Sequence, residues 1–349
     1  MIIPFSRASI TQKEIDVVVG VLKNGWMTMG PETEAFEKEF AEYVGAKYAI
    51  AVNSATSALF LSLKALDIKP GDEVIVPSFT FASTANVVVH CGATPVFVDI
   101  NKDDFTMDQK SLDTVITKKT KAIIPVHYAA NRAHIKTTIP IIEDSAHLIE
   151  KGGDSQKAFA SCYSFYATKN MTTGEGGMVT TANAQVADWL KMARLHGLSR
   201  DAWKRYGIGA KWLYSVEFSG WKFNTTDINS ALGRVQLRRL NQFEKHRRHV
   251  VNLYNKSLGL NNKGTHLYPI LVENRNKFFE FMKKNNVGCS FHFTPLHLQP
   301  AFLKCNTPSL PNTEYVGTRV VTLPLDAVIS DKEVREVVRL VKAFWCKGK

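Results

Sequence analysis

The chain has 349 residues, 45% of them hydrophobic and 22% charged, which suits two domains, or a large domain with a smaller one, and excludes general disorder. Lys plus Arg number 44 against 32 Asp plus Glu, and the resulting +12 fits nucleic acid, an acidic membrane surface or an anionic small substrate. No apolar run reaches the ~20 residues of a membrane helix, and Arg7 and Lys13 come too early for a signal peptide.

Residues 11–24 and 31–44 read as amphipathic helices, the second with Pro31 at its first position and acidic residues in its first turn. The turn between them, Gly25–Gly30, exposes Trp26 and Thr28. Short apolar strands then alternate with helices: strand 48–52, helix 56–65, strand 73–77, helix 80–91, and strands 94–100, 122–128 and 140–144. Runs of β-branched residues without clean alternation predict parallel strands covered on both faces, an α/β doubly wound layer. Ligands of such sheets bind beyond the carboxyl ends of the strands. A long helix over about 226–254 opens the rest of the chain. A smaller α+β unit follows, with strand 268–272, helix 274–285, strand 288–293 and a terminal helix 331–344. The boundary is expected near residue 245, dividing 1–245 from 246–349.

The densest cations, Arg234 to Arg248, have helical spacing and predict a solvated basic face. No basic–aromatic motif accompanies them, so no nucleic-acid partner is expected. Five scattered cysteines, with no CxxC pair, speak against a disulfide framework or a zinc site and suit a reducing cytoplasm. No metal and no membrane partner are expected.

Four segments carry chemistry. NSATSAL, from Asn53, follows a strand and opens a helix, an arrangement that suits either a phosphate or a simple helix cap. PIIEDSAH ends a buried strand with Asp144 and places His147 three residues on; a buried carboxylate there needs a cation or a protonated nitrogen, or else it only caps the next helix. SFYATKNMTTGEGGMV holds Lys169 between aromatic residues and a glycine turn, which suits a desolvated amine. No G-x-x-x-x-G-K-[ST] is present, so a P-loop is excluded. In WKFNTTDINSALG, Asn224 precedes the Thr226 cap of the long helix.

Together with PSFTFASTANVV from Pro77, GWMTMGPETEAFEKEF, FHFTPLHLQPAF and VVTLPLDAVISDKEV, these segments resemble, in order, the DegT/DnrJ/EryC1/StrS family of pyridoxal-phosphate (PLP) aminotransferases acting on nucleotide-linked keto sugars. The resemblance implies fold type I, the aspartate-aminotransferase type, with a mostly parallel sheet in a large domain and a small C-terminal α+β domain. It implies Lys169 as the Schiff-base lysine and Asp144 as the partner of the pyridine nitrogen. Ala55, Thr56 and Ser164 match phosphate contacts, Phe81 an aromatic ring stacked on the cofactor, and His147 a residue beside it. Asn224 matches a residue that reaches the neighbouring subunit's phosphate, which implies a homodimer with shared sites.

The implied reaction converts a dTDP- or UDP-linked 4-keto-6-deoxyhexose into its 4-amino sugar with L-glutamate as donor, for amino-sugar and polysaccharide biosynthesis. Trp26, Thr28, His292 and His297 are candidate substrate contacts, with ordinary packing as the alternative for both histidines. C3 amination, a PLP-dependent sugar dehydratase and a non-enzymatic PLP-fold binder are the other readings. The dehydratase branch replaces the lysine with histidine, whereas Lys169 is present here. The chain departs from its relatives between Tyr128 and Ile139, where they place a fuller helix, and in the run from His147 to Ser161.

Overall fold

The computed structural model describes residues 1–153, 157–199, 214–305 and 307–347. Helix α1 (Gln12–Asn24) begins with a capping box in which the Thr11 amide donates to Glu14 at 2.9 Å. It stops at Gly25, whose left-handed φ of 81° is open to glycine at little cost. Helix α2 (Pro31–Val44) is capped from far away. The amides of Gly30, Glu32 and Thr33 donate to the buried Asp227 carboxylate at 2.7, 3.1 and 3.0 Å.

The central layer is built from β1 (Tyr48–Val52), β2 (Glu73–Pro77), β3 (Thr94–Val98), β4 (Thr120–Ile123), β5 (Ile142–Asp144), β6 (Ala160–Ser164) and β7 (Gly177–Thr181). Their spatial order is β1-β7-β6-β5 and β4-β2-β3. Single parallel bridges, Ile123 to Ile141 and Val126 to Asp144, join the two groups. Pairings are parallel except those of β7, which runs antiparallel to both β1 and β6. Helices α3 (Ala55–Ala65), α4 (Ala82–His90) and α5 (Gln109–Val115) connect the first four strands, and α6 (Ala184–Ala193) follows β7. Ile50, Val52, Val74 and Val76 are fully buried in one cluster with Leu59, Leu63, Val87 and Val88. Each such side chain stabilises the layer by about 1.5–3 kcal/mol.

Helix α7 (Asp227–Leu258) has 32 residues, about 48 Å at 1.5 Å per residue. Its first half packs on α1 and α2. Its second half gives Val250, Val251 and Tyr254 to another core. That core is shared with β8 (Tyr268–Leu271), α8 (Arg275–Lys284), β9 (Val320–Leu323) and α10 (Asp331–Lys347). Helix α9 (Pro311–Arg319) precedes β9. Among the described residues no helix is long and apolar enough to cross a membrane, and no group of three His, Cys, Asp or Glu could hold a metal ion.

One expectation fails and another holds only in part. The strand expected over 288–293 does not form. The Gly288 amide donates to Ile3 and the Ser290 amide to Thr322, so the segment is shared between two neighbours with one bridge each and builds no ladder. The basic run of α7 is a solvated face only in part: Arg238, Lys245 and Arg248 are exposed, while Arg234, Arg239 and Arg247 are covered. Arg234 pairs with Glu32 and Glu39, Arg238 with Glu39, Arg239 with the buried Glu14, and Arg248 with Glu244. Most of those carboxylates lie on α1 and α2, where the local pattern of α7 cannot reveal them.

Candidate active site

A cleft of about 640 Å³ opens at the carboxyl ends of the strands. Ala55 and Thr56 at the start of α3, Phe81 after β2, Asp144 at the end of β5 and Ser164 at the end of β6 all line it. So do His147, Lys169 and His292. The Ser54 hydroxyl caps α3 by accepting from the Ser57 amide at 3.1 Å. Gly177 lies so close behind this turn that a Cβ there would sit 2.5 Å from the Ser54 carbonyl carbon and 2.7 Å from the Ala55 nitrogen. Only glycine lets the start of β7 press against the turn, which accounts for one glycine of the GEGG run.

Asp144 is 4% exposed. Its Oδ2 accepts from Thr84 Oγ1 at 2.9 Å and its Oδ1 from the Ala146 amide at 3.1 Å, and among the described residues no ion pair is formed with it. Burial pushes its carboxyl above the ordinary aspartate value, against the Ala146 amide, Thr84, Lys169 and His127. Burial also pushes the Lys169 amine down to about 8, with Asp144 opposing. The cleft therefore holds an amine that gives up its proton far more readily than an ordinary lysine, and a carboxylate with no ion-pair partner among the described residues.

The His147 Nδ1 accepts from the Ala129 amide at 3.3 Å, which leaves any ring proton on Nε2. Ala129 takes a left-handed φ of 54° to aim that amide. The His147 ring lies 4.4 Å from that of His266 and stacks on Phe293 at 5.9 Å. Burial pushes both histidines well below the ordinary range, and the neighbouring Lys169 adds to this. His292 bonds Thr322 through Nδ1 at 3.0 Å and is pushed down to about 4 by burial and Lys169. Phe81 is 61% exposed in the cleft, its ring 6.1 Å from Phe293.

Four expected residues stay out of this cleft. His297 packs instead of facing a ligand: its Nδ1 meets Ser78 Oγ at 2.6 Å and its Nε2 lies 3.5 Å from Glu314. Trp26 donates to the Met29 carbonyl at 3.3 Å, and Thr28 sits in the same turn, whose carbonyls accept from the Asp227 amide. Asp227 draws that turn toward the start of α7, away from the cleft of the same chain. Asn224 Nδ2 donates to the Thr225 carbonyl at 2.9 Å, and its Oδ1 is buried without a partner. Local reading missed Thr84 and His266. Thr84 lies one helical turn beyond Thr80, to which its hydroxyl also bonds at 3.0 Å, so the TFAST pattern could have marked it. Nothing near His266 marks it.

A buried amine of lowered pKa, a buried carboxylate lacking a cation, and a helix start pressed by glycine fit pyridoxal phosphate. Asp144 would face the ring nitrogen and the Ser54–Thr56 turn the phosphate. Such a cleft suits a PLP-dependent transferase. The chain belongs to the DegT/DnrJ/EryC1/StrS aminotransferase family, which it matches over residues 8–342. It is thereby a PLP-dependent enzyme of the sugar aminotransferase class. It is 42% identical to the uncharacterised protein MJ1066 of Methanocaldococcus jannaschii, over 97% of each chain. It is 38% identical to the spore coat polysaccharide biosynthesis protein SpsC of Bacillus subtilis, over 97% of this chain and 96% of that one. Among solved structures, the protein Spr1654 of Streptococcus pneumoniae, described as a sugar aminotransferase, superposes in its PMP form with a TM-score of 0.89. The identity is 31%, and 100% of both chains is covered. Its PLP form gives 0.88 at 32% identity, over 97% of each chain.

Proposed function

We propose that the enzyme aminates a dTDP- or UDP-linked 4-keto-6-deoxyhexose at C4, with L-glutamate as amino donor. The observation that carries the chemistry is the shared cleft of Lys169 and Asp144. When bound, PLP supplies an electron sink for the pair left at a carbon that loses its proton. Asp144, ionised, would accept a hydrogen bond from the ring N–H and keep it protonated; Thr84 and Ala146 hold the carboxylate in place. Lys169 anchors the cofactor and, as a free amine, takes and returns a proton at Nζ. Ala55, Thr56 and Ser164 would hold the phosphate, with Phe81 and His147 as the aromatic and imidazole groups next to the cofactor.

The substrate assignment draws on the resemblance of PSFTFASTANVV and TKNMTTGEGGM to the 4-aminating branch, and on the net charge of +12 beside a diphosphate. An apolar wall of Phe5, Phe291 and Phe293 suits a deoxy sugar. Residues 1–245 would carry the cofactor and 246–349 a small domain closing over it, in a cytoplasmic homodimer. In that dimer Asn224 reaches the neighbour's phosphate, and the turn of Trp26 and Thr28 approaches the neighbour's sugar.

The deciding assay measures glutamate-dependent amination over a panel of 4-keto-6-deoxy and 3-keto sugar nucleotides. A 4-amino product is expected, and product from the 3-keto sugars alone would move the enzyme to C3 chemistry. Mixing inactive Lys169→Ala chains with inactive Asn224→Ala chains should restore activity, since one hybrid site carries both wild-type residues. No recovery after demonstrated subunit exchange would remove the shared site.

A further inference from the structure

Among the described residues the basic run of α7 holds one buried cation without a carboxylate. Arg247 is 5% exposed, and among the described residues it forms no ion pair. Burial pushes its guanidinium down to about 10, with Glu244 and Asp326 opposing, so it stays charged at neutral pH. A buried cation without a carboxylate is unfavourable unless its hydrogen bonds serve something specific. Here Nη1 donates to the Asn170 carbonyl at 2.9 Å and Nη2 to the Lys169 carbonyl at 3.3 Å, while Nε is buried without a partner.

Those two carbonyls belong to the loop between β6 and β7, where no strand ladder satisfies the backbone. Other side chains of α7 grip the same loop. Asn229 Nδ2 donates to the carbonyls of Thr173 at 2.8 Å and Glu175 at 2.9 Å, and Gln236 Oε1 accepts from the Thr172 amide at 3.4 Å. At 3.6 residues per turn, positions 229, 236 and 247 fall within about 20° of one another around the helix. One face of a rigid helix thus holds the lysine loop from end to end, and such elements set site geometry more tightly than loops do.

We infer that Arg247 is a positioning residue for Lys169: its planar guanidinium holds the main-chain carbonyls of Lys169 and Asn170 and so fixes the point from which the amine reaches into the cleft. The inference rests on Lys169 being the cofactor lysine. A guanidinium suits the task because its fork can span two adjacent carbonyls, whereas an ammonium is a point donor.

The test compares Arg247→Lys and Arg247→Met with the wild-type enzyme, with Lys169→Ala as control. In both Arg247 variants the phosphate contacts remain, so KM for glutamate should move little while kcat falls about a hundredfold, the scale of a misplaced reacting group. The isotope effect with α-deuterated glutamate should rise, because proton transfer by Lys169 becomes the slow step. Capture of added PLP by the apo-protein should slow in both variants, and added guanidinium should partly rescue Arg247→Met. A folded variant with unchanged isotope effect and unchanged capture rate would overturn the proposal. So would failure of both variants to fold, which would assign Arg247 to packing. If Lys169→Ala still captured PLP in a borohydride-reducible bond, the reading of Lys169 itself would fall instead.

Discussion

Glu143 and Asp144 are adjacent on β5, yet they line different cavities and meet opposite electrostatics. Asp144 enters the cleft, where a hydroxyl and an amide hold it and burial raises its pKa. Glu143 turns toward Arg132, 3.8 Å away, and His127, 3.6 Å away, and accepts from Ser161 at 2.8 Å. Burial pushes the Glu143 carboxyl up too, but His127, Ser161 and Arg132 outweigh it and hold the group below its ordinary 4.5. The same chemical group is satisfied by protein on one side of the sheet and left wanting a cation on the other. An incomplete environment is what marks a candidate site; a buried charge alone does not.

The sharpest way to break the contrast is Asp144→Asn. A neutral amide cannot favour a protonated ring nitrogen, so kcat/KM should fall by about 10³, roughly 4 kcal/mol of transition-state stabilisation. Turnover near wild type would mean that another group protonates the ring.

The next effect is a pH profile. With the Lys169 amine lowered to about 8, its neutral fraction in the apo-protein falls about tenfold for each pH unit below that value. PLP capture, followed by absorbance in a stopped-flow mixer, should decline with that slope on the acid side and level off above it. A lowered lysine pKa also means that burying the charge costs stability below about 8, a cost relieved as pH rises toward the ordinary 10.5.

Glu143→Gln should spare chemistry and lower stability by about 2 kcal/mol at neutral pH, since it strips a charge from a buried network. The sign follows from its lowered folded pKa. The Glu143 contribution is present above 4.5 and is lost as pH falls through the folded value, so variant and wild type should converge in acid in denaturant titrations. Asp144 titrates with the opposite sign, because its raised folded pKa makes protonation favour the folded state. A large loss of turnover per folded molecule in Glu143→Gln would erase the distinction between the two faces.

The smallest effect is expected from Ala129→Gly. Glycine relieves the positive φ of 54° but loosens the unfolded chain, so stability should change by less than about 1 kcal/mol. A larger loss in thermal melts would show that the methyl group packs against its surroundings.

Sequence alone determined the alternation of apolar strands and amphipathic helices, because periodicity and caps are properties of short segments. It also singled out Lys169, Asp144 and the Asn53–Leu59 turn, since each ends or follows a buried strand where a polar group has little reason to be. It erred over 288–293, where alternating aromatic residues looked like a strand but the backbone partners lie at Ile3 and Thr322. Only the tertiary structure decided that Thr84 holds Asp144 across 60 positions of chain, that His266 meets His147, and that Arg247 grips the loop of Lys169 across 78. Trp26, Thr28 and His297 were separated from the cleft by the same means, as Asp227 and Ser78 took up the partners that a local reading left open. A polar side chain has the same local pattern whether water or a distant carbonyl satisfies it, and only packing brings that carbonyl within 3 Å or so of the donor.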